Sequence, residues 1–519
     1  MKRRENKGIQ HLVIAIAAAW FILCSINTAE AETFCVQTSG ELQSALNTAA
    51  TNEEADVIQL VQGTYTGNFT YEVHAVQQEA YQLTIKGGYA SGCFSRVVNA
   101  SNTVLDGNSA GSAFMIDDWY GVNFECDGVT FQNGSAARGG GLHVGSLGDV
   151  MLSNSAVSGN RATEFGGGIY INSTAGITLT NNTISNNECP QSAGASLIGG
   201  EAIVLTANRI KGNTSDEAVG GILAHGPSVS FTNNLFYDNN ALYYDGISIE
   251  INSNLIRVIN NTIVNTGIRI ELSDGSRADV YNNIIYDNSG NEANDLRIYN
   301  DYDEDGVASP VSLLNNDFDQ SSTGTYIQIP FTIDSSNLNN QNPLFVDSST
   351  GDYHLAKGSP CIDTGTSTDA PATDMAGTSR PRGQGYDMGA YEYVGVPLPD
   401  IKANGKNGSI TVSSGTPVSI TLSLDPDNLS GQNVDWWVVE LTPSSTYNHF
   451  DLSTGSMVQG LSPTHQGPLF NLGTTTLLNS SDLSVGTHIF YFAVDMNMNG
   501  SLDMNFIYYD SVRVNVTEP

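Results

Sequence analysis

Positive charge is scarce in this sequence: 20 Lys and Arg stand against 54 Asp and Glu in 519 residues, a formal net charge of −34. A chain so acidic repels phosphate backbones and anionic headgroups, so no nucleic-acid partner is expected. Charged residues of either sign reach only 14%, too few for long solvated helices. Cysteine is sparse, with 6 in all, and no Cys-x-x-Cys occurs, so a thiolate zinc site is not expected. The longest apolar run, Leu12–Cys24, is too short and too early for a membrane span. No integral membrane domain is expected. What the chain has instead is 53 Gly and an abundance of Asn, Ser and Thr. Short strands joined by tight turns give that composition.

Lys2, Arg3, Arg4 and Lys7 precede the apolar run, and Ala29-Glu30-Ala31 follows it. Residues 1–31 therefore read as a secretory signal peptide. The protein is expected to be exported, to the cell surface or beyond. Removing four basic and two acidic residues takes the net charge from −34 to −36. Cys35, Cys93, Cys126, Cys189 and Cys361 remain, an odd number, so at least one thiol is unpaired. A Cys35–Cys93 disulfide is expected, joining the first strand to the tight turn at 87–93.

One phrase recurs between Val129 and Phe318: apolar, polar, Asn, Asn, polar, apolar, then Asn again. Leu179–Asn187 (LTNNTISNN) and Val280–Asn288 (VYNNIIYDN) are good copies. Anchored on the last apolar residue, the copies fall at Val129, Val157, Ile184, Ile210, Phe236, Ile263, Ile285 and Phe318. The intervals are 28, 27, 26, 26, 27, 22 and 33 residues. A period in the twenties with apolar–polar alternation signals a solenoid whose coil is one repeat. Two inward columns can be aligned, Leu152, Leu179, Leu205, Phe231, Val258, Val280, Leu313 and, two residues earlier, Val150 to Val311. Ser155, Asn182, Asn208, Asn234, Asn261, Asn283 and Asn316 form an Asn column at a bend. Stacked amides and a left-handed backbone both suit a sharp corner there.

A third strand follows Gly141, Gly168, Gly194, Gly221, Gly246 and Gly267. Its outward columns are His143, Tyr170, Ser196, Leu223, Ser248, Arg269 and Gly145, Asn172, Ile198, His225, Glu250, Glu271. Residues 32–115 read as an N-terminal cap and first coils, with a helix over Glu41–Ala50, because an open solenoid end exposes core and sheet edge.

Stacked Asn turns with three strands per coil resemble the right-handed parallel β-helix of the pectin-lyase-like superfamily. At the C-terminal end come Asn342–Asp347, Gly351–Leu355, Ser359-Pro-Cys-Ile-Asp363-Thr-Gly365, Asp374–Gly377, Arg380-Pro-Arg382 and Asp387-Met-Gly-Ala-Tyr-Glu392-Tyr. In that order they resemble the choice-of-anchor Q domain of bacterial secreted β-helix proteins. The resemblance covers about 32–395 and implies an exported, often surface-associated protein, without a known reaction. The β-helix is thus expected over 116–395 and a linker over 396–400. Alternating runs over 401–519 then indicate an immunoglobulin-like β-sandwich.

Four groups of residues stand out as candidate sites. Asp301, Asp303 and Asp305 precede Gly306 in an Asp-x-Asp-x-Asp-Gly loop whose carboxylates suit Ca²⁺. Asp495, Asn497, Asn499 and Asp503 repeat that spacing around Gly500. His225, Glu250 and Glu271, with Arg269, form the candidate catalytic face. Carboxylates one coil apart lie near the separation used by retaining glycosidases. Tyr170, Tyr243 and Tyr244 are candidate sugar-stacking rings. The expected role is a non-catalytic adhesion or binding protein for extracellular polysaccharide or cell-surface glycan, with Ca²⁺-stabilised loops. The alternatives are a polysaccharide lyase or glycoside hydrolase acting at Glu250 and Glu271, and a purely structural surface-layer component.

Overall fold

The computed structural model describes residues 31–73, 81–117, 120–241, 246–273, 275–288, 295–300, 310–321, 325–327, 333–504 and 506–519. The chain divides into two compact units, Met1–Gln341 and Asn342–Pro519.

The first unit opens with a strand, Glu32–Val36, and a helix, Ser39–Ala49. Thr38 starts the helix through a capping box: its Oγ1 accepts from the Glu41 N–H, and the Glu41 carboxylate accepts from the Thr38 N–H. Leu42, Ala45, Leu46 and Ala49 lie on one face and are all buried. That face packs on Glu32–Val36, Asp56–Val61 and Phe69–Glu72, so it covers apolar surface that the first coil would otherwise expose. Cys35 and Cys93 form a disulfide, as expected from sequence, while Cys126, Cys189 and Cys361 are buried thiols.

Beyond the cap the main strands of the coils stack in three columns, with short extra pairs such as Ser135–Arg138 with Arg161–Phe165. One column stacks as an 11-stranded parallel sheet from Gly63–Thr66 to Leu338–Asn339. The other two merge into a 19-stranded sheet, in two coils as single bent strands, Ile222–Thr232 and Ile247–Ile259. Leu152, Leu179, Leu205, Phe231, Val258, Val280 and Leu313 are register partners, coil upon coil, and all are buried. Each contributes roughly 1.5–3 kcal/mol by burial. One anchor differs from the sequence expectation. Val157 pairs with Phe131, not Val129. Both residues are buried, so alternation by itself does not separate them.

The Asn column is a continuous amide ladder. Each Nδ2 donates to the next Oδ1: Asn182 to Asn208, Asn208 to Asn234, Asn234 to Asn261 and Asn261 to Asn283, all at 3.0 Å. Asn316 and Asn337 continue it. The left-handed backbone lies one residue earlier than expected, at Asn181, Ala207, Asn233, Asn260 and Asn282. The corner residue bends the chain, and the Asn after it turns inward and ties the coils. A second ladder runs Asn160, Asn187, Asn213, Asn239.

In the second unit, residues 342–393 contain few regular elements beyond the antiparallel pair Phe345–Asp347 and Asp352–Leu355. Lys357 pairs with Asp425 and Asp427, and the Tyr393 hydroxyl donates to Asp427, tying this segment to the C-terminal sheets. Residues 398–400, expected in a linker, are already strand: Leu398–Ala403 pairs antiparallel with Val418–Asp425. A three-stranded sheet and a seven-stranded, mostly antiparallel sheet enclose Ile420, Leu424, Trp436, Val438, Phe490 and Phe492.

Candidate functional site

The outward positions of the larger helical sheet are set by the same register. Met115, His143, Tyr170, Ser196, Leu223, Ser248, Arg269, Arg297 and Tyr326 form one column. His225, Glu250, Glu271 and Tyr299 lie side by side in the next. Register neighbours are about 4.8 Å apart. Within the first column Tyr170 and Ser196 are buried. Tyr170 is 6% exposed, with Arg138 5.5 Å above its ring and His143 against its edge at 5.2 Å. It therefore has no free ring face for a sugar, contrary to expectation. Tyr243 and Tyr244 lie outside the described residues.

In the later coils His225, Glu250, Arg269, Glu271, Arg297 and Tyr299 are all partly exposed. His225 Nδ1 is 3.6 Å from Glu250 Oε2, and the Ser248 hydroxyl donates to Glu250 Oε1 at 3.4 Å. Arg269 is ion-paired with Glu271, and its guanidinium lies 4.8 Å from the centre of the Tyr299 ring. Tyr299 in turn meets Tyr326 at 5.4 Å. The four expected residues are thus brought together, and each carboxylate has a basic side chain beside it. Arg297, Tyr299 and Tyr326 complete the patch and were missed. The coil of Arg297 and Tyr299 starts at Asp295 instead of a glycine, but the alternation in Leu296-Arg-Ile-Tyr299 carried the signal, and Gly324-Thr-Tyr326 keeps the glycine start.

Asp301, Asp303 and Asp305 lie outside the described residues. The second acidic loop is described. Asp495 ends the strand Gly486–Asp495, directly across from Asp435, which sequence spacing did not reveal. Both are fully buried. Asp495 accepts from the N–H groups of Asn497 and Asp503, and Asp435 from those of Asn499 and Gly500 and from Gln466 Nε2. Among the described residues neither carboxylate is ion-paired with Lys or Arg, and no group of three or more His, Cys, Asp or Glu could hold a metal. The loop's amides supply the donors that keep the two charges buried.

The motif residues after 359 form one buried network. Arg380 donates to Glu392 at 2.5 Å and to the Gly389 carbonyl at 2.9 Å. Asp374 accepts from the Glu392 N–H, and Asp387 from the Asp363 and Tyr393 N–H groups. Burial, and then the charge of Glu392, push the Asp387 carboxyl up to about 7. The network lies beside the buried apolar side chains of this segment, Tyr353, Leu355, Cys361, Met388 and Tyr391.

No helix among the described residues is long and apolar enough to cross a membrane. No curated protein and no solved structure matches the chain. The family model described as "Right handed beta helix region" matches residues 81–236 and 167–354, together more than half of the chain. With stacked parallel strands and inward columns over the same residues, the chain belongs to the right-handed β-helix family.

Proposed function

We propose that this is an exported, non-catalytic β-helix protein whose later coils bind extracellular polysaccharide or cell-surface glycan. The observation that supports this reading is the open patch of Glu250, Arg269, Glu271, Arg297, Tyr299 and Tyr326, charged and aromatic side chains in adjacent register on one flat face. Rings offer an apolar platform for pyranose C–H groups, and flanking charges offer hydrogen bonds to hydroxyls. The Cys35–Cys93 disulfide fits an oxidising compartment. In this reading residues 342–393 are a choice-of-anchor Q-like end, and the C-terminal sheets are an immunoglobulin-like module.

Calcium is the cation assigned to Asp495, Asn497, Asn499 and Asp503, and to Asp301, Asp303 and Asp305. At the first of these loops the supporting observation is the pair of fully buried carboxylates, Asp435 and Asp495, facing each other without a basic partner among the described residues. The Asn side-chain oxygens are the further ligands. A melting temperature unmoved by EDTA removes calcium from the reading.

A lyase or hydrolase reading stands second, because Glu250 and Glu271 are register partners. Incubating the mature protein with a panel of neutral and acidic polysaccharides separates the readings. Retention of intact polymer, weakened in Tyr326→Ala, is the expected result. New reducing ends or unsaturated uronates, lost in Glu271→Gln, would establish the enzyme instead. Self-assembly without retention of any glycan would point to the surface-layer component.

A further inference from the structure

The outer face of the seven-stranded sheet in the second unit carries a groove of about 450 Å³. Its origin is local. Trp437, Ala493 and Tyr509 lie directly across three neighbouring strands. Alternation turns Trp436, Phe492 and Val494 into the core and leaves the other three on the outer face. The small Ala493 between two large rings leaves a trough with walls two strand spacings apart, about 9.6 Å. Tyr491 sits beside Tyr509 at 6.4 Å. Tyr447, Leu461 and Met504 extend the rim.

The lining is chemically one-sided in a useful way. Among the described residues no charged side chain lines the groove. Tyr447 and Tyr509 are 49% and 58% exposed, so their rings are available. Trp437 is only 3% exposed. Rings carrying phenol hydroxyls match a ligand with an apolar face and a hydroxyl edge. They do not match a charged peptide or a purely apolar chain. The volume falls within the range of small-ligand sites.

We infer that this groove is a second glycan site, taking a neutral pyranose chain, separate from the helix face and independent of what that face binds. The rings of Tyr447, Tyr491 and Tyr509 stack on the sugar, and Trp437 forms the opposite wall.

The test uses the full mature chain with β-1,4-glucan, β-1,4-xylan, β-1,4-mannan and α-1,4-glucan hexasaccharides as probes, followed by titration calorimetry and Trp emission. At least one probe binds with a shift in Trp emission. Tyr509→Ala weakens that binding roughly tenfold, and Ala493→Leu, which fills the trough while sparing every ring, blocks it. Tyr326→Ala on the helix face leaves it unchanged, so failure of the two sites can be told apart. Folding of each variant is verified by circular dichroism and an unchanged urea midpoint. Absence of binding by all four probes, or wild-type affinity in both groove variants, overturns the inference. So does concentration-dependent dimerisation that Tyr509→Ala abolishes, since the groove would then seat a second copy.

Discussion

Asp387 makes the folding of the second unit depend on pH. Its carboxyl titrates near 3.8 when the chain is unfolded and is raised to about 7 in the fold, first by burial and then by Glu392. Between these values the folded state holds a proton that the unfolded state has lost, so stability is greatest at the acid end of the window. It falls as pH rises through about 7 and levels off above. The full shift corresponds to on the order of 4 kcal/mol, reduced by relaxation of the network around Arg380. The Asp56 carboxyl, raised to about 6 chiefly by burial, acts with the same sign in the first unit. Hydrogen-exchange mass spectrometry of peptides spanning 363–393, corrected for intrinsic rates, should show slower exchange at pH 5.5 than at pH 7.5. Asp387→Asn should flatten that difference. Equal or greater protection at pH 7.5 in the wild type would contradict the assignment. The same residue shows why the 359–393 motifs read so clearly in sequence. Each conspicuous Asp, Glu or Arg is a member of one buried network, and none of Asp374, Arg380, Asp387 or Glu392 faces solvent.

At the scale of a strand, the leading glycines are fixed by contact between coils. A Cβ on Gly168 would come within 2.6 Å of the Gly194 carbonyl, on Gly194 within 2.3 Å of the Gly221 carbonyl, and on Gly221 within 2.6 Å of the Gly246 carbonyl. Each obstacle is backbone of the following coil, which cannot rotate away. Gly194→Ala should therefore destabilise the helix by about 1–3 kcal/mol through forced separation of coils. Gly40→Ala, in the capping helix with nothing near, should be neutral or stabilising by up to about 1 kcal/mol. Urea midpoints of the two variants check the contrast, and an unchanged midpoint for Gly194→Ala would refute the packing account. This coil-on-coil repetition made the fold legible in the sequence: inward columns, Asn ladders and Gly starts recur because each coil meets the same neighbour. It also delivered His225, Glu250 and Glu271 to one column. Legibility ended where repetition did. Tyr170 reads as an outward ring, but its column neighbour His143 and Arg138 from another strand cover it. Asp435 meets Asp495 only through antiparallel pairing, and the trough beside Trp437 needs three strands assembled before the small Ala493 has meaning.

At the scale of the whole molecule, the net charge of −34 sets a field that local patches must overcome. Arg269 and Arg297 lie at the open face, but Arg269 is committed to Glu271, so little positive potential is left for an acidic polymer. Polygalacturonate should be excluded at low ionic strength, while a neutral polymer should be retained equally at low and high salt. Divalent cations change only the first case. Calcium can bridge polymer carboxylates and surface Asp or Glu through shared oxygens, so millimolar Ca²⁺ should turn exclusion into retention, reversibly with EDTA. Neutral-polymer retention should not respond to either. Affinity electrophoresis in gels cast with each polymer, run with and without Ca²⁺, reads all four conditions. Strong retention on polygalacturonate without Ca²⁺, disappearing as salt rises, would show that a basic surface dominates recognition. It would overturn the account in which rings and hydroxyl contacts, rather than charge, select the ligand.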